Sequence, residues 1–372
     1  MNRIMTSMIP PSLAIAPLAD RLERLTLMNG SSPVEVHLRP SRSLAALIRL
    51  ANGRYIFTKK LLKTGPYGEG ALENHIRAGH TDAAVLACRP AFLGSIDGWQ
   101  FSEGIPDARP LRDYLHQDSD FQQNTGLRLG ETIAGIQTAQ KTTHAAHTHT
   151  DNTDTGTNTM PVSPAQTHIK PLSLMNPQDY ALLPGTDRDL YAAAAQKCAP
   201  GIRVLQSSLR QTCLVHGDLN AGNILLTGTS DRETLHLVDW DRCGMGDPAW
   251  DLGHIIAAAL IAWSNGVHTG HDTSLDAALA TAERPWPRYA DWLASVWAGY
   301  KQSMTNTATA PACDDTAWRT AGYALLQKGF NRLSQTGVLG LKGRLILSMA
   351  ETLTNQPADA RHALMPAPNT IQ

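Results

Sequence analysis

Between residues 12 and 28 apolar and charged side chains alternate at helical spacing, and the run stops at Asn29-Gly30. From Val34 the pattern changes to period two and short continuous apolar runs. "VEVHLRP", "LAALIRL" and "RYIFTKK" predict three short strands. Asn52-Gly53 stands between the second and third and predicts a hairpin turn, because both residues tolerate positive φ. Residues 69–79 predict a helix and "GWQFSEG" at 98–104 another strand. "LRDYL" at 111–115 and "LGETIAGIQ" at 129–137 then return to helical spacing.

The stretch from Lys141 to Met160 is rich in Thr, with Asp, Asn, Gly and His and almost nothing to bury, so it predicts a low-complexity, mobile loop. Further on, "ILL" at 224–226 and "LHLV" at 235–238 flank the turn-rich "TGTSDRET" and predict a hairpin. After Ala249 the pattern is helical nearly to the end. Tyr289, Trp292, Leu293, Val296, Trp297 and Tyr300 fall on one helical face, as do Trp318, Leu325, Leu326, Phe330 and Leu333. The pattern therefore predicts a small β-rich lobe over residues 1–104 and a larger helical lobe over 105–372, with a low-complexity insertion at about 140–168.

Composition narrows the partners. Of 372 residues 42% are hydrophobic, enough for a sizeable core, and 32 basic residues nearly cancel 33 acidic ones. That balance gives no reason to expect a nucleic-acid or membrane-surface partner. The five cysteines, Cys88, Cys198, Cys213, Cys243 and Cys313, are dispersed and read as reduced core thiols. No apolar run approaches the roughly 18–20 residues that span a bilayer. Pro10 and Pro11 interrupt any signal-peptide core. The expected location is the cytoplasm.

The chemistry concentrates in "LVHGDLNAGNILL", residues 214–226, where His216, Asp218 and Asn223 stand between apolar runs. Buried Asp and Asn are costly unless something binds them. Asp218 and Asn223 lie five apart across a Gly-containing loop, and Asp239 follows "LHLV", so the predicted hairpin brings the two polar sites together. Two carboxylates and an amide oxygen make a hard, oxygen-rich site suited to Mg²⁺, which takes its remaining ligands from water and substrate phosphates.

H-G-D-x-x-x-x-N followed by a strand-borne Asp resembles the core of protein-kinase-like enzymes. Gly217, Gly222 and the later "GDPAWDLG" at 246–253 resemble the aminoglycoside and choline phosphotransferase branch. The resemblance implies an α+β, two-lobed protein-kinase-like fold. Its N-lobe would be a small antiparallel β-sheet with one main helix, and its C-lobe mostly helical. It implies ATP and Mg²⁺ as cofactors and a hydroxyl as phosphoryl acceptor, on an aminoglycoside, amino alcohol or sugar. A Ser or Thr of a precursor peptide is an alternative acceptor, and a non-catalytic nucleotide-binding scaffold an alternative function.

Carried over residue by residue, the resemblance makes Asp218 the catalytic base or acceptor-orienting carboxylate. Asn223 and Asp239 would hold Mg²⁺. His216 would fix the loop through the backbone. Asp247 and Asp251 would cap the following helix and brace the loop, with capping the simpler role. Asp241 would be a supporting carboxylate. In the N-lobe the ATP phosphates need a strand lysine held by a helix glutamate. Lys59 and Lys60 point to opposite faces of one strand: Lys59 extends the face of Tyr55 and Phe57, Lys60 that of Thr58. Glu73 is the first candidate partner and Glu69 the second. No G-x-G-x-x-G loop precedes that strand, so Ser41, Arg42 and Ser43 of the first turn would meet the phosphates. The backbone of Ser102, Glu103 and Ile105 would face adenine.

Two positions depart from the pattern. Asn220 stands where relatives carry Lys or His, so it brings no charge to the transferring phosphoryl group. Asp239 is followed by Trp240-Asp241 rather than Phe-Gly. His144, His147 and His149 suggest a metal, but in a Thr-rich tract they lack the fixed shell a structural zinc site needs.

Overall fold

A computed structural model of the chain describes residues 14–39, 44–61, 72–73, 83–117, 123–139, 185–228, 233–267, 285–304 and 314–365. These fall into two compact units. One lies within Met1–Pro66 and Arg89–Ala108, the other within Tyr67–Cys88 and Arg109–Gln372. Among the described residues no helix is long and apolar enough to cross a membrane.

The first unit opens with helix α1 (Ile15–Arg24), followed by β1 (Pro33–Leu38), β2 (Ala45–Leu50), β3 (Tyr55–Lys60), β4 (Phe92–Ile96) and β5 (Trp99–Glu103). The strands form one antiparallel sheet in the order β1-β2-β3-β5-β4. Leu18 and Leu22, one helical turn apart, pack with Ala46, Ile48, Leu50, Ile56, Trp99 and Phe101 in a buried cluster. The Arg21 guanidinium lies 5.0 Å over the Trp99 ring, and Arg24 bonds Asp97 at 2.7 Å.

This packing distinguishes the two lysines. In register Lys60 opposes Trp99 and Lys59 opposes Gln100. Since side chains alternate along a strand, Lys60 shares the α1-covered face with Ile56, Thr58 and Phe101, while Lys59 shares the other with Tyr55 and Phe57. The first-predicted hairpin takes a different turn from the one expected. Only Gly53 has positive φ, at +85°. Gly53 N–H donates to Leu50 and Asn52 Oδ1 accepts from Arg54 N–H, so Asn52 works through its side chain. The two-positive-φ turn stands instead at Asp97 (+53°) and Gly98 (+75°), joining β4 to β5.

The second unit contains α2 (Ala83–Cys88), β6 (Arg109–Pro110), α3 (Leu111–Gln117), α4 (Gln123–Ala139), α5 (Arg188–Ser208), β7 (Cys213–Val215), β8 (Ile224–Thr227), β9 (Thr234–Leu237) and β10 (Gly244–Gly246). It continues through α6 (Ala249–Asn265), α7 (Trp286–Ser303), α8 (Asp314–Thr336), α9 (Gly340–Asn355) and α10 (Pro357–Leu364). The predicted "ILL"–"LHLV" hairpin is β8–β9, with β6 on its other edge, and β7 pairs with β10.

One continuous hydrophobic core fills the unit, with Trp240, Trp250, Trp292, Trp318, Tyr191, Tyr289 and Tyr300 almost wholly buried in it. α4 and α7 approach so closely that a Cβ on Gly130 would meet the Val296 carbonyl oxygen at 2.0 Å. Pro200 interrupts the backbone ladder of α5. There Gly201 N–H donates to Asn355 Oδ1, and Asn355 Nδ2 donates to the Lys197 carbonyl. Leu72 joins this core, and Leu72 and Glu73 are helical. The rest of the helix predicted at 69–79, including Glu69, lies outside the described residues. So do Ser41, Arg42, Ser43, Cys313 and the Thr- and His-rich stretch with His144, His147 and His149.

Candidate active site

β7 is a buried three-residue strand that delivers the chain into the loop His216–Asn223, and β8 takes it away. Gly217 turns the backbone through a positive φ of +82°, which a side chain would resist. The loop then folds on itself: Asn220 N–H donates to the Asp218 carbonyl and Asn223 N–H to the Asn220 carbonyl. Asn223 Nδ2 donates to that same Asp218 carbonyl at 2.8 Å. This bond fixes the amide so that its Oδ1 is the end left for another partner.

Asn220 is engaged at both ends. Its Nδ2 lies 3.2 Å from Asp218 Oδ1, and its Oδ1 accepts from Gly222 N–H at 2.9 Å. The residue that departs from the charged pattern therefore orients the Asp218 carboxylate. Asp218 itself is half-buried.

The β9 side meets the loop through the backbone. Val238 N–H donates to the Asn223 carbonyl at 2.9 Å, so Asp239 is the next residue after a direct tie to Asn223. Asp239 adopts φ +66°, a left-handed conformation that Asp tolerates better than most residues but that costs about 1–3 kcal/mol. Strain of that kind persists only where the surroundings enforce it. Trp240 follows, wholly buried, with its indole N–H on the Leu237 carbonyl and its ring 4.6 Å from that of His216. Asp241 is half-buried.

His216 is wholly buried, and both its nitrogens are assigned by their partners. Nε2 donates to the Val238 carbonyl at 3.0 Å, and Nδ1 accepts from Asp218 N–H at 3.3 Å. The imidazole thus links the two strands of the site to the amide of Asp218.

Beneath the loop lies a carboxylate that sequence reading cast as a helix cap. Asp251, 2% exposed, sits inside the first turn of α6. Its oxygens accept the backbone N–H groups of His216 at 2.8 Å and Gly217 at 3.1 Å. Trp250 Nε1 donates to the Gly217 carbonyl at 3.0 Å. Capping falls to Asp247 alone, which accepts from Ala249 N–H and, across the chain, from Arg210 N–H, each at 2.9 Å. Burial pushes both carboxyls above the ordinary range, for Asp251 against the pull of the His216 side chain and the two amide bonds. The signal was present in the sequence: a carboxylate inside a helix buried nearly all round must have a partner.

Of the other predicted site residues, Lys59 is half-buried and Lys60 exposed, both in the first unit, and Glu73 is half-buried in the second. Glu103 N–H donates to the Ala91 carbonyl and Gly104 N–H to the Tyr55 carbonyl. Ser102 opposes Phe57 in register. No hydrogen bond among the described residues takes the Ile105 N–H. Among the described residues no group of three or more His, Cys, Asp or Glu stands together as a metal cluster. Asn223 and Asp239 fit the different donor set expected of Mg²⁺, few protein oxygens with the rest from substrate and water.

The chain is similar to known proteins. The profile of the phosphotransferase enzyme family matches residues 48–292. A microcompartment-associated aminopropanol kinase has a similar structure at 15% identity and a TM-score of 0.52, covering 94% of this chain and 97% of that one. A choline kinase from Cryptosporidium parvum is similar at 10% identity and a TM-score of 0.52, covering 89% of this chain and 91% of that one. At these identities the two structures show the fold, which is α+β and protein-kinase-like. No curated protein sequence matches. With the family profile spanning most of the chain and the loop geometry in agreement, this chain belongs to the phosphotransferase enzyme family.

Proposed function

We propose that the protein transfers the γ-phosphoryl group of ATP, with Mg²⁺, to a hydroxyl of a small molecule. The observation that carries this reading is the hydrogen-bonded loop that fixes Asp218, Asn223 and Asp239 together in one unit. Two kinases of small amino alcohols share the fold, which supports a small-molecule acceptor.

Asp218 receives the acceptor hydroxyl and orients it for attack on the phosphoryl group. One carboxylate oxygen is steadied by Asn220, leaving the other to accept the hydroxyl proton. Asn223 Oδ1 and the Asp239 carboxylate would hold Mg²⁺, which supplies charge to the phosphates when bound. His216 and Asp251 touch neither substrate; they position the Asp218 backbone. Lys59, on the sheet face that α1 does not cover, would meet the phosphates. Ser41, Arg42 and Ser43 would meet them too. The Ile105 N–H and the Glu103 carbonyl would bind adenine. The buried cysteines Cys88, Cys198, Cys213 and Cys243, none in a disulfide, support a reducing, cytoplasmic setting.

ADP release from MgATP over a panel of alcohols tests the reading. Asp218→Asn is expected to lose turnover by about 10²-fold or more while thermal stabilisation by ATP remains. Undiminished transfer in that variant would refute the role of Asp218.

A further inference from the structure

The loop from Asp218 to Asn223 carries no cation of its own. A guanidinium reaches it from outside. β6 runs antiparallel to β8, with Arg109 opposite Leu226 and Pro110 opposite Leu225, so the chain entering α3 lies along the exit of the loop. Arg112 N–H then donates to the Ala221 carbonyl at 3.0 Å. That bond fixes the root of the Arg112 side chain against the loop.

Its far end lies over Gly222. The point where a Cβ of residue 222 would stand is 3.7 Å from Arg112 Nη1 and 3.0 Å from Asn220 Oδ1. Gly222 is not among the glycines with positive φ, so backbone conformation does not call for glycine there. The guanidinium and the Asn220 amide both stand beside Gly222 instead. Arg112 makes one loose, exposed ion pair. Its Nε is 3.6 Å from Asp113 Oδ1, too long for a hydrogen bond, with the two side chains 64% and 44% exposed. No hydrogen bond to the guanidinium forms among the described residues. The order along the loop is therefore the Asp218 carboxylate, the locked Asn220 amide, Gly222, and a planar fork of N–H donors.

We propose that Arg112 binds an anionic oxygen group of the acceptor, a carboxylate or a phosphate ester, while the acceptor hydroxyl meets Asp218. This inference rests on the phosphotransferase reading above. Guanidinium suits such groups because two parallel N–H bonds match two oxygens. The acceptor class becomes a hydroxylated anion rather than a simple amino alcohol, and Arg112 a specificity-determining residue.

The test uses the full chain saturated with Mg²⁺ and a non-hydrolysable ATP analogue, titrated with glycerol, glycerate and glycerol 3-phosphate by calorimetry. Wild-type protein is expected to bind at least one anion and not glycerol, and the stronger of the two distinguishes carboxylate from phosphate. Arg112→Ala should weaken that binding about tenfold or more, and Arg112→Lys less. Equal affinity in wild type and Arg112→Ala overturns the proposal, as does a wild type that binds neither anion or binds glycerol equally well. If the ATP analogue fails to stabilise the wild type, the phosphotransferase reading fails instead. The same titration of the nucleotide-free protein then still decides the role of Arg112.

Discussion

Replacing Asp251 with Asn keeps the shape of the side chain and removes one acceptor. In the wild type both carboxylate oxygens are used, one on His216 N–H and one on Gly217 N–H. The amide can serve only one of them and turns its NH₂ toward the other, so one buried backbone donor is left without a partner. A hydrogen bond to a charged group contributes about 1.5–3 kcal/mol, and a buried orphan costs about 1–3 kcal/mol. The neutral amide is easier to bury at this 2% exposed position, which offsets part of the loss. The net expectation is a destabilisation of about 2–3 kcal/mol, read as a lower urea midpoint with unchanged slope. Against a stability of about 5–15 kcal/mol, more than about nine-tenths of the molecules stay folded. Unfolding therefore explains almost none of any fall in rate. Because the two N–H groups precede Asp218 directly, the rate of ADP release should fall at least about tenfold in the folded variant. Asp251→Ala, which loses both bonds, should fall further on both counts. Full activity in Asp251→Asn, with the midpoint lowered as expected, would show that Asp218 does not depend on this brace.

Gly130→Ala should destabilise by about 1–3 kcal/mol despite the better helix propensity of Ala, because the new Cβ meets the Val296 carbonyl oxygen at 2.0 Å and α4 must move from α7; chemical denaturation reads it. Burial pushes the Tyr323 phenol up from 10.0 to about 12, against the Arg242 charge and the hydrogen bond from Gln327. A raised folded value means that this contribution is fully present below about pH 10 and is lost as pH rises toward about 12, since the unfolded chain gives up the proton first. Tyrosinate absorbance should show that delay, and Tyr323→Phe should flatten the alkaline loss of stability.

Local pattern was enough for the first three strands, the β8–β9 hairpin and the aromatic faces of α7 and α8, because each is set by the spacing of apolar residues along a few turns or pleats. It was not enough for β4. "FLGSI" carries glycine and serine in mid-strand, and the Asp97-Gly98 turn behind it went unread. The long helix α5 also escaped, since Pro200 and Gly201 interrupt its local pattern; Asn355, more than a hundred residues away, bridges that break. Neighbouring lysines posed a different problem. Alternation placed Lys59 and Lys60 on opposite faces, but no spacing within the strand said which face α1 would cover.

The sequence by itself determined that Asp218, Asn223 and Asp239 are set at the ends of buried strands, because polar side chains between apolar runs have little other reason to be there. The tertiary structure alone decided what holds and surrounds them. Asp251 reaches back to His216 and Gly217, and Arg112 comes to lie over Gly222. These contacts join residues far apart in the chain, and hydrogen bonding between them depends on how helices and strands pack, which no local periodicity encodes.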